Sequence, residues 1–354
     1  MILLYMYILE LNFEKGWRGG ERQTIYCIQG LINAGHKANL LCRKGSDLAA
    51  KALEAGISVI ECDGVFQVIR YLFGHAREFD ILHCHTSNML TYCIATKWLH
   101  KKPVVLSRRV SYVPHGYFTL FKYQRTDLVV AVSTEVKNIL LLKGIKKVTM
   151  ISDIALPVEL DNVRAIDFIN QYNHSGKRII GTMAAFEPEK DPMTMLETIK
   201  QLNARRNDFL FFHFGSGSMM EEVQLRIKSY HLENVYITPG FMNDVHDFYS
   251  ILEVFAFSSI LEGLGSSILD AFLYKVPVAS TNGGGLKDLV TKDRGLICNI
   301  KDASQLATNI NELMDNEELR KKLIQNALLY VTEMHGMEYI TSNYIREFKN
   351  LIGS

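Results

Sequence analysis

Short apolar stretches alternate with amphipathic helical patterns along nearly all of this 354-residue chain, and no other feature restricts its fold so tightly. Successive strands separated by helices must cross over to pair. The alternation therefore predicts parallel sheets with right-handed crossovers. Residues 1–9, 37–42, 58–61, 81–85, 104–107, 128–133 and 148–151 read as strands. Residues 21–33, 46–55, 65–77, 89–99 and 134–143 read as the helices between them, on apolar residues recurring at helical spacing. The pattern breaks around 153–164, where Pro157 interrupts it, and then restarts. Strands are expected at 178–183, 208–214, 235–238, 254–257, 276–280 and 295–298, and helices at 192–203, 219–230, 245–252, 267–273, 286–290, 303–314, 317–333 and 337–351. Two series predict an α/β chain of two doubly wound, Rossmann-like domains. Ligands in such sheets bind at the carboxyl ends of the strands, so the expected site is a cleft that the two domains face.

Composition narrows the class further. With 48% hydrophobic and 22% charged residues the chain is not a disordered one. No run of about 20 apolar residues suggests a membrane span. The apolar start, MILLYMYILELNF, lacks a basic region and a small-residue cleavage site, so it reads as a buried strand and not a signal peptide. Cys27, Cys42, Cys62, Cys84, Cys93 and Cys298 form no CxxC pair and read as core thiols in a reducing, cytoplasmic compartment. No metal site is expected. His83 and His85 are read as facing opposite sides of their strand, and no second pair matches them.

Charge is divided between the halves. Residues 1–150 hold 20 Lys and Arg against 11 Asp and Glu, a net of +9, while the remainder holds 19 against 27. A basic first half suits an anionic partner. Phe118, Leu120, Phe121 and Tyr123 interleave with Lys122 and Arg125, and Trp98 sits among Lys97, Lys101 and Lys102. That mixture fits peripheral contact with an anionic lipid surface, and no nucleic-acid motif accompanies it.

The densest chemical signal is SSILEGLGSSILD at 258–270, directly after the strand VFAF. Gly263 and Gly265 precede a helix starting near Ser266, whose free amides can hold a phosphate. Glu262 is placed to bind hydroxyls, and Asp270, further along the helix, to bind a ribose diol. Gly283, Gly284 and Gly285 open another short helix downstream. Several glycine turns at strand ends are stronger evidence than one.

EGLGxxxxD followed by PVASTNGGGLKDLV resembles the E-x7-E region of family 4 retaining glycosyltransferases with the GT-B fold. WRGGERQ resembles their first-loop glycine pair, and DILHCH, VVAVS, IIGTMAAFEPEKDP, FFHFGSGSMMEEV, VYITPGF and GLICN fall in the family's order. The resemblance covers nearly the whole chain and implies sugar transfer from a UDP- or GDP-sugar with no cofactor and no metal. It implies an acceptor-binding domain at 1–155 and a donor-binding domain at 156–336. A final helix, 337–354, would cross back onto the first domain, and Tyr339, Ile340, Tyr344, Phe348 and Leu351 give it an apolar face.

Residue by residue, Gly19 and Gly20 would let the donor diphosphate approach bare backbone where a Cβ would clash. Lys190 matches the Lys of the family's RxxxxK pair and would neutralise the leaving diphosphate. Its Arg partner is missing, since Ala185 stands there. Glu262 would contact the donor sugar. Asp270, one methylene shorter than the family's Glu, would contact the ribose. Gly215, Phe241, Leu264, Gly265 and Ser266 complete the implied donor site. SRRVS puts Arg108 and Arg109 where many members carry a cleft histidine, which suits an anionic acceptor, with His85 at the next strand end. Among bacterial members lipopolysaccharide core is the commonest anionic acceptor, which places the reaction at the inner face of the cytoplasmic membrane. Ala185 and SRRVS also motivate an alternative, a catalytically weak donor- or partner-binding subunit. A nucleotide-sugar epimerase disagrees with the motifs, and a dehydrogenase lacks a GxGxxG after the first strand.

Overall fold

The computed structural model describes residues 5–172, 174, 176–242 and 244–353. The chain forms two compact units. The first runs to Ile154 and resumes at Met334, and the second is Ala155–Glu333.

The first unit holds a sheet of β1 (Tyr7–Leu11), β2 (Lys37–Arg43), β3 (Ser58–Cys62), β4 (Ile81–Cys84), β5 (Val104–Arg108), β6 (Leu128–Ala131) and β7 (Val148–Met150). All neighbours are parallel, in the order β3-β2-β1-β4-β5-β6-β7. The central strands β4, β5 and β6 are buried at every position, as strands covered on both faces must be. The crossovers are α1 (Gly19–Asn33), α2 (Asp47–Glu54), α3 (Val65–His75), α4 (Ser87–His100), α5 (Tyr117–Arg125) and α6 (Thr134–Leu142). Ser46, Thr86 and Ser133 cap α2, α4 and α6 by accepting the amides of Ala49, Met89 and Val136.

The second unit begins with α7 (Asn162–Ile169). Its strands are β8 (Arg178–Met183), β9 (Phe209–Phe214), β10 (Tyr236–Gly240), β11 (Val254–Phe257), β12 (Val278–Thr281) and β13 (Leu296–Cys298). They form a parallel sheet in the order β10-β9-β8-β11-β12-β13. Around it lie α8 (Pro192–Asn203), α9 (Met220–Ser229), α10 (Ser266–Leu273), α11 (Leu286–Leu289), α12 (Ala303–Asp315) and α13 (Glu317–Met334). Phe209 and Phe211 on β9 pack with Ile180, Leu196, Ile199 and Ile310 in one core cluster. Each such side chain contributes about 1.5–3 kcal/mol when fully buried.

The final helix, α14 (Met337–Ile352), belongs to the first unit. Its buried face is Ile340, Thr341, Tyr344 and Phe348. It crosses α1 so closely that a Cβ at Gly30 would lie 2.1 Å from Thr341 Oγ1. Gln23 of α1 also clamps the backbone of Ile154, donating to its carbonyl at 2.7 Å and accepting its amide at 2.8 Å.

Three local expectations need correction. The first strand was placed at 1–9. Residues 1–4 lie outside the described residues, and β1 is Tyr7–Leu11. Residues 245–252 form a 3₁₀ segment, Val245–Ile251, in place of an α-helix. α5 and α7 went unpredicted. α5 buries only Tyr123, so it carries no apolar stripe, and α7 buries only Ala165 and Ile169. No helix among the described residues is long and apolar enough to cross a membrane.

Candidate functional site

In the second unit the loops after β8, β9, β11 and β12 are fastened together at the carboxyl edge of the sheet. Asp191, at φ 47°, ends the turn Pro188–Lys190 and caps α8 through the Thr194 amide. Ser258 Oγ donates to the carbonyls of Lys190 and Asp191, each at 3.0 Å, and the Ile260 amide donates to the Glu189 carbonyl at 2.9 Å. This lacing brings the Lys190 ammonium against Glu262 Oε1, which also accepts from Ser259 Oγ at 3.0 Å. Both Lys190 and Glu262 remain partly accessible, Lys190 the more so.

The glycines here answer to backbone packing. Gly215 has φ +152°, and a Cβ on it would stand 1.9 Å from the Ala184 carbonyl oxygen. That oxygen is itself held. His213 Nε2 lies 3.2 Å from it and Nδ1 lies 2.7 Å from the Tyr236 hydroxyl. Since a carbonyl only accepts, the proton is on Nε2 and Tyr236 donates to Nδ1. Burial pushes the His213 pKa down to about 3, so the ring is neutral. Cβ atoms at Gly283, Gly284 and Gly285 would meet the carbonyls of Ser259, Glu262 and Gly263 at 2.2–2.3 Å. Gly265, at φ +103°, precedes α10, with Leu264 buried and Ser266 partly exposed at its start. Asp270 is buried on α10 with His246 Nε2 3.6 Å from its carboxylate. Phe241 is exposed just past β10. Ala185 puts no cation beside Lys190, which is the one cation of residues 184–191.

In the first unit the carboxyl ends of β1, β4 and β5 lie side by side. Glu10 and His83 are register partners, and both are fully buried. Glu10 Oε2 is 2.5 Å from His85 Nε2 and 2.8 Å from His83 Nδ1, though His83 Nδ1 is out of line for a hydrogen bond. The expectation that the two histidines face opposite sides is therefore wrong. Strand side chains repeat every two residues, so 83 and 85 share a face. His83 Nε2 continues to Ser107 Oγ at 2.8 Å, and Ser107 to the Tyr344 hydroxyl of α14 at 2.8 Å. On the other side Arg109 Nη1 lies 2.9 Å from His85 Nδ1, and its Nε donates to Asp153 at 2.8 Å. His335 accompanies them, with Nδ1 2.9 Å from the Asp153 carbonyl.

By residue type, Glu10, His83 and His85 are a set that can ligate a metal. The Arg109 fork decides how they are used in this arrangement. A guanidinium only donates, so His85 Nδ1 accepts and Nε2 carries the proton toward Glu10. Burial holds His85 down at about 3, against the pull of Glu10. Burial alone would raise the Glu10 carboxyl. Attraction to His83, with the His85 hydrogen bond and charge, lowers it instead, to about 2.

The structure separates the residues grouped as acceptor contacts. Arg108 is buried, with Nη1 donating to the Tyr123 hydroxyl at 2.5 Å and Nη2 to the Tyr112 carbonyl. The His85 side chain is 1% exposed. Both are turned inward, Arg108 with its buried Nε left without a hydrogen-bond partner among the described residues, while Arg109 keeps 13% of its side chain exposed. Gly19 and Gly20 open α1, where the Glu21 carboxylate accepts the Arg18 amide at 3.0 Å. Among the described residues, and apart from its own turn of α1, no atom lies within 4 Å of a Cβ built on Gly20, so the fold leaves room there. Sequence reasoning missed Glu10, Asp153 and Ser259, and took Tyr344 only as part of an apolar helix face. Glu10 had left a trace, as an acid inside an apolar strand.

Residues 17–153 match the family model described as Glycosyltransferase Family 4, and residues 165–329 the model described as Glycosyl transferases group 1. The 2-deoxystreptamine N-acetyl-D-glucosaminyltransferase of Niallia circulans is 26% identical over 312 residues, covering 79% of this chain and 78% of that protein. The lipopolysaccharide core biosynthesis glycosyltransferase LpsE of Rhizobium meliloti is 24% identical over 169 residues, 48% of each chain. The crystal structure of Anabaena HepE in complex with UDP and glucose superposes with a TM-score of 0.85 at 16% identity, covering 98% of this chain and all of that one.

Proposed function

Because this chain is a glycosyltransferase of the GT-B fold, a family 4 domain followed by a group 1 domain, we propose that it transfers a sugar from a UDP- or GDP-sugar to an anionic saccharide or glycolipid, with retention. The observation that carries this reading is the Lys190–Glu262–Ser259 cluster, set among glycine turns at the carboxyl ends of β8, β9, β11 and β12. Lys190 neutralises charge growing on the departing diphosphate, the place where fixed charge lowers a barrier most. Glu262 accepts hydrogen bonds from the donor sugar, and Asp270 from the ribose. The amides at Leu264, Gly265 and Ser266, with Gly215, Phe241 and the Gly19–Gly20 turn, complete the donor contacts. The acceptor hydroxyl attacks the anomeric carbon from the face that the diphosphate leaves, and its proton passes to the departing diphosphate oxygen. Lys190 and backbone amides do the work that a metal does elsewhere.

The acceptor assignment rests on charge and on Arg109. The relative named for 2-deoxystreptamine acts on an amine-bearing acceptor. The basic first half of this chain would repel one, and a phosphate- or carboxylate-bearing acceptor such as lipopolysaccharide core fits it better. Such glycolipids are met at the inner face of the cytoplasmic membrane. A second reading, donor binding without efficient transfer, is favoured by Ala185. Thermal unfolding with UDP, GDP, ADP and their sugars, followed by turnover of the stabilising donor, tests both. Stabilisation without turnover supports the second reading, and no stabilisation by any nucleotide overturns the first.

A further inference from the structure

Between β5 and α5 the chain exposes Val110, Tyr112 and Val113, and α5 itself exposes Tyr117, Phe118 and Phe121. Tyr117 and Phe118 are 78% and 84% exposed. A lone exposed apolar side chain needs no explanation, but six within twelve residues do. The rings form a small cluster, Tyr117 lying edge-on to Phe118 at 5.8 Å and stacked on Phe121 at 6.4 Å. The frame behind them is fixed. Tyr123, on the inner side of α5, is buried and accepts from Arg108, and Lys122 Nζ donates to the Ser87 carbonyl and Thr91 Oγ1, both at 2.9 Å.

The charge around this cluster is one-sided. From residue 81 to residue 126 there is no Asp or Glu, against seven Lys and Arg. Arg108 and Arg109 are engaged internally, and Lys97 is paired with Asp127. Arg125 lies over the Phe121 ring at 5.1 Å, at the rim of the aromatic cluster. The Lys97 ammonium also meets the Arg125 carbonyl, and Lys101 stands exposed one turn further on. Aromatic rings bordered by cations, in a segment whose nearest acid, Asp127, is already paired with Lys97, match a surface that is apolar within and negative at its rim.

We propose that residues 110–121, in the loop before α5 and on its first turns, seat the first unit on an anionic lipid bilayer. Tyr117 and Phe118 enter the boundary between headgroups and acyl chains, and Arg125 and Lys101 meet lipid phosphates. The proposal rests on the glycolipid acceptor for its purpose, but the docking itself needs neither donor nor acceptor.

The test is sedimentation of the full chain with phosphatidylcholine vesicles, with and without phosphatidylglycerol. Binding is expected only with the anionic lipid and should weaken as salt rises. The double variant Tyr117→Ser, Phe118→Ser should bind about tenfold more weakly or worse. Arg125→Glu should weaken binding as well. Both variants should keep the parent's thermal unfolding and donor hydrolysis. Absence of parent binding, or a double variant that binds like the parent, overturns the proposal. So does a dimer of the parent that the double variant dissolves, since the face would then belong to a second copy. Vesicle binding without sugar transfer leaves the docking standing and removes the enzymatic reading. Transfer to a soluble acceptor without vesicle binding removes the docking alone.

Discussion

The Lys190 ammonium and the Glu262 carboxylate form one ion pair, with Ser259 Oγ on the same carboxylate oxygen. The two groups assigned to different parts of the donor, diphosphate and sugar, satisfy each other in this arrangement. A bound donor must offer each a new partner, so the pair favours a ligand that carries both an anion and hydroxyls over either alone.

Removing Lys190 removes charge that the departing diphosphate needs. Lys190→Ala should lower kcat by about a hundredfold to a thousandfold. Steady-state turnover of the stabilising donor measures this, and an unchanged kcat rejects the assignment.

Glu262→Gln keeps the size of the side chain and an oxygen for Ser259 Oγ, but discards the charge. UDP or GDP affinity by calorimetry should stay near that of the parent while sugar transfer is lost. A collapse of nucleotide affinity would instead assign Glu262 to the nucleotide or to the fold.

Two glycines separate steric from ligand-driven need. Gly215→Ala meets the Ala184 carbonyl at a positive φ and should cost about 3 kcal/mol or more, in the second unit only. Gly20→Ala meets nothing and should leave stability unchanged or raise it by about 0.5–1 kcal/mol, while the donor KM rises. Differential scanning calorimetry with donor kinetics distinguishes the two.

Arg109 is bound to Asp153, which is 8% exposed at its side chain. Arg109→Ala should raise the acceptor KM more than the donor KM and make activity less sensitive to salt. It should also cost the first unit about 3–5 kcal/mol by leaving Asp153 uncompensated. Asp153→Asn, which spares the guanidinium, should lower stability without the same change in acceptor KM.

Acid should weaken both units for a shared reason. His85 and His213 are held near 3, well below the 6.5 of a free imidazole. Between those values the unfolded chain takes up protons that the folded chain refuses, so stability falls as pH drops from about 6.5 toward 3. The slope approaches about 1.4 kcal/mol per pH unit for each ring. Glu10, ionised in the fold below its usual range, adds to the loss under 4.5. Denaturant unfolding from pH 7 to 4 measures the slope. His213→Gln should reduce it in the second unit and leave the first unit's slope unchanged.

The parallel architecture was legible because strands such as ILHC, LVVA and VFAF are covered on both faces and read as unbroken apolar runs. The glycine turns were legible because carbonyl oxygens crowd Gly283, Gly284 and Gly285 and leave no room for side chains. The pairing of Lys190 with Glu262 was not, since 72 residues separate them and only the adjacency of β8 and β11 in the sheet brings their loops together. The Glu10–His83 contact likewise depends on the register between β1 and β4. α5 escaped notice because its exposed face carries its aromatic residues, the reverse of what helical periodicity detects.

The return of α14 to α1 fixes an order of events during synthesis. The surface of α1 around Gly30, and Ser107 at the end of β5, find Thr341 and Tyr344 only after the whole of the second unit has been translated. The second unit can close as it emerges, because all its strands are local to it. The first, though made earlier, must wait with part of its interior open. A chain ended just after α13 would therefore have a later-made unit that is sound and an earlier-made unit that is unfinished.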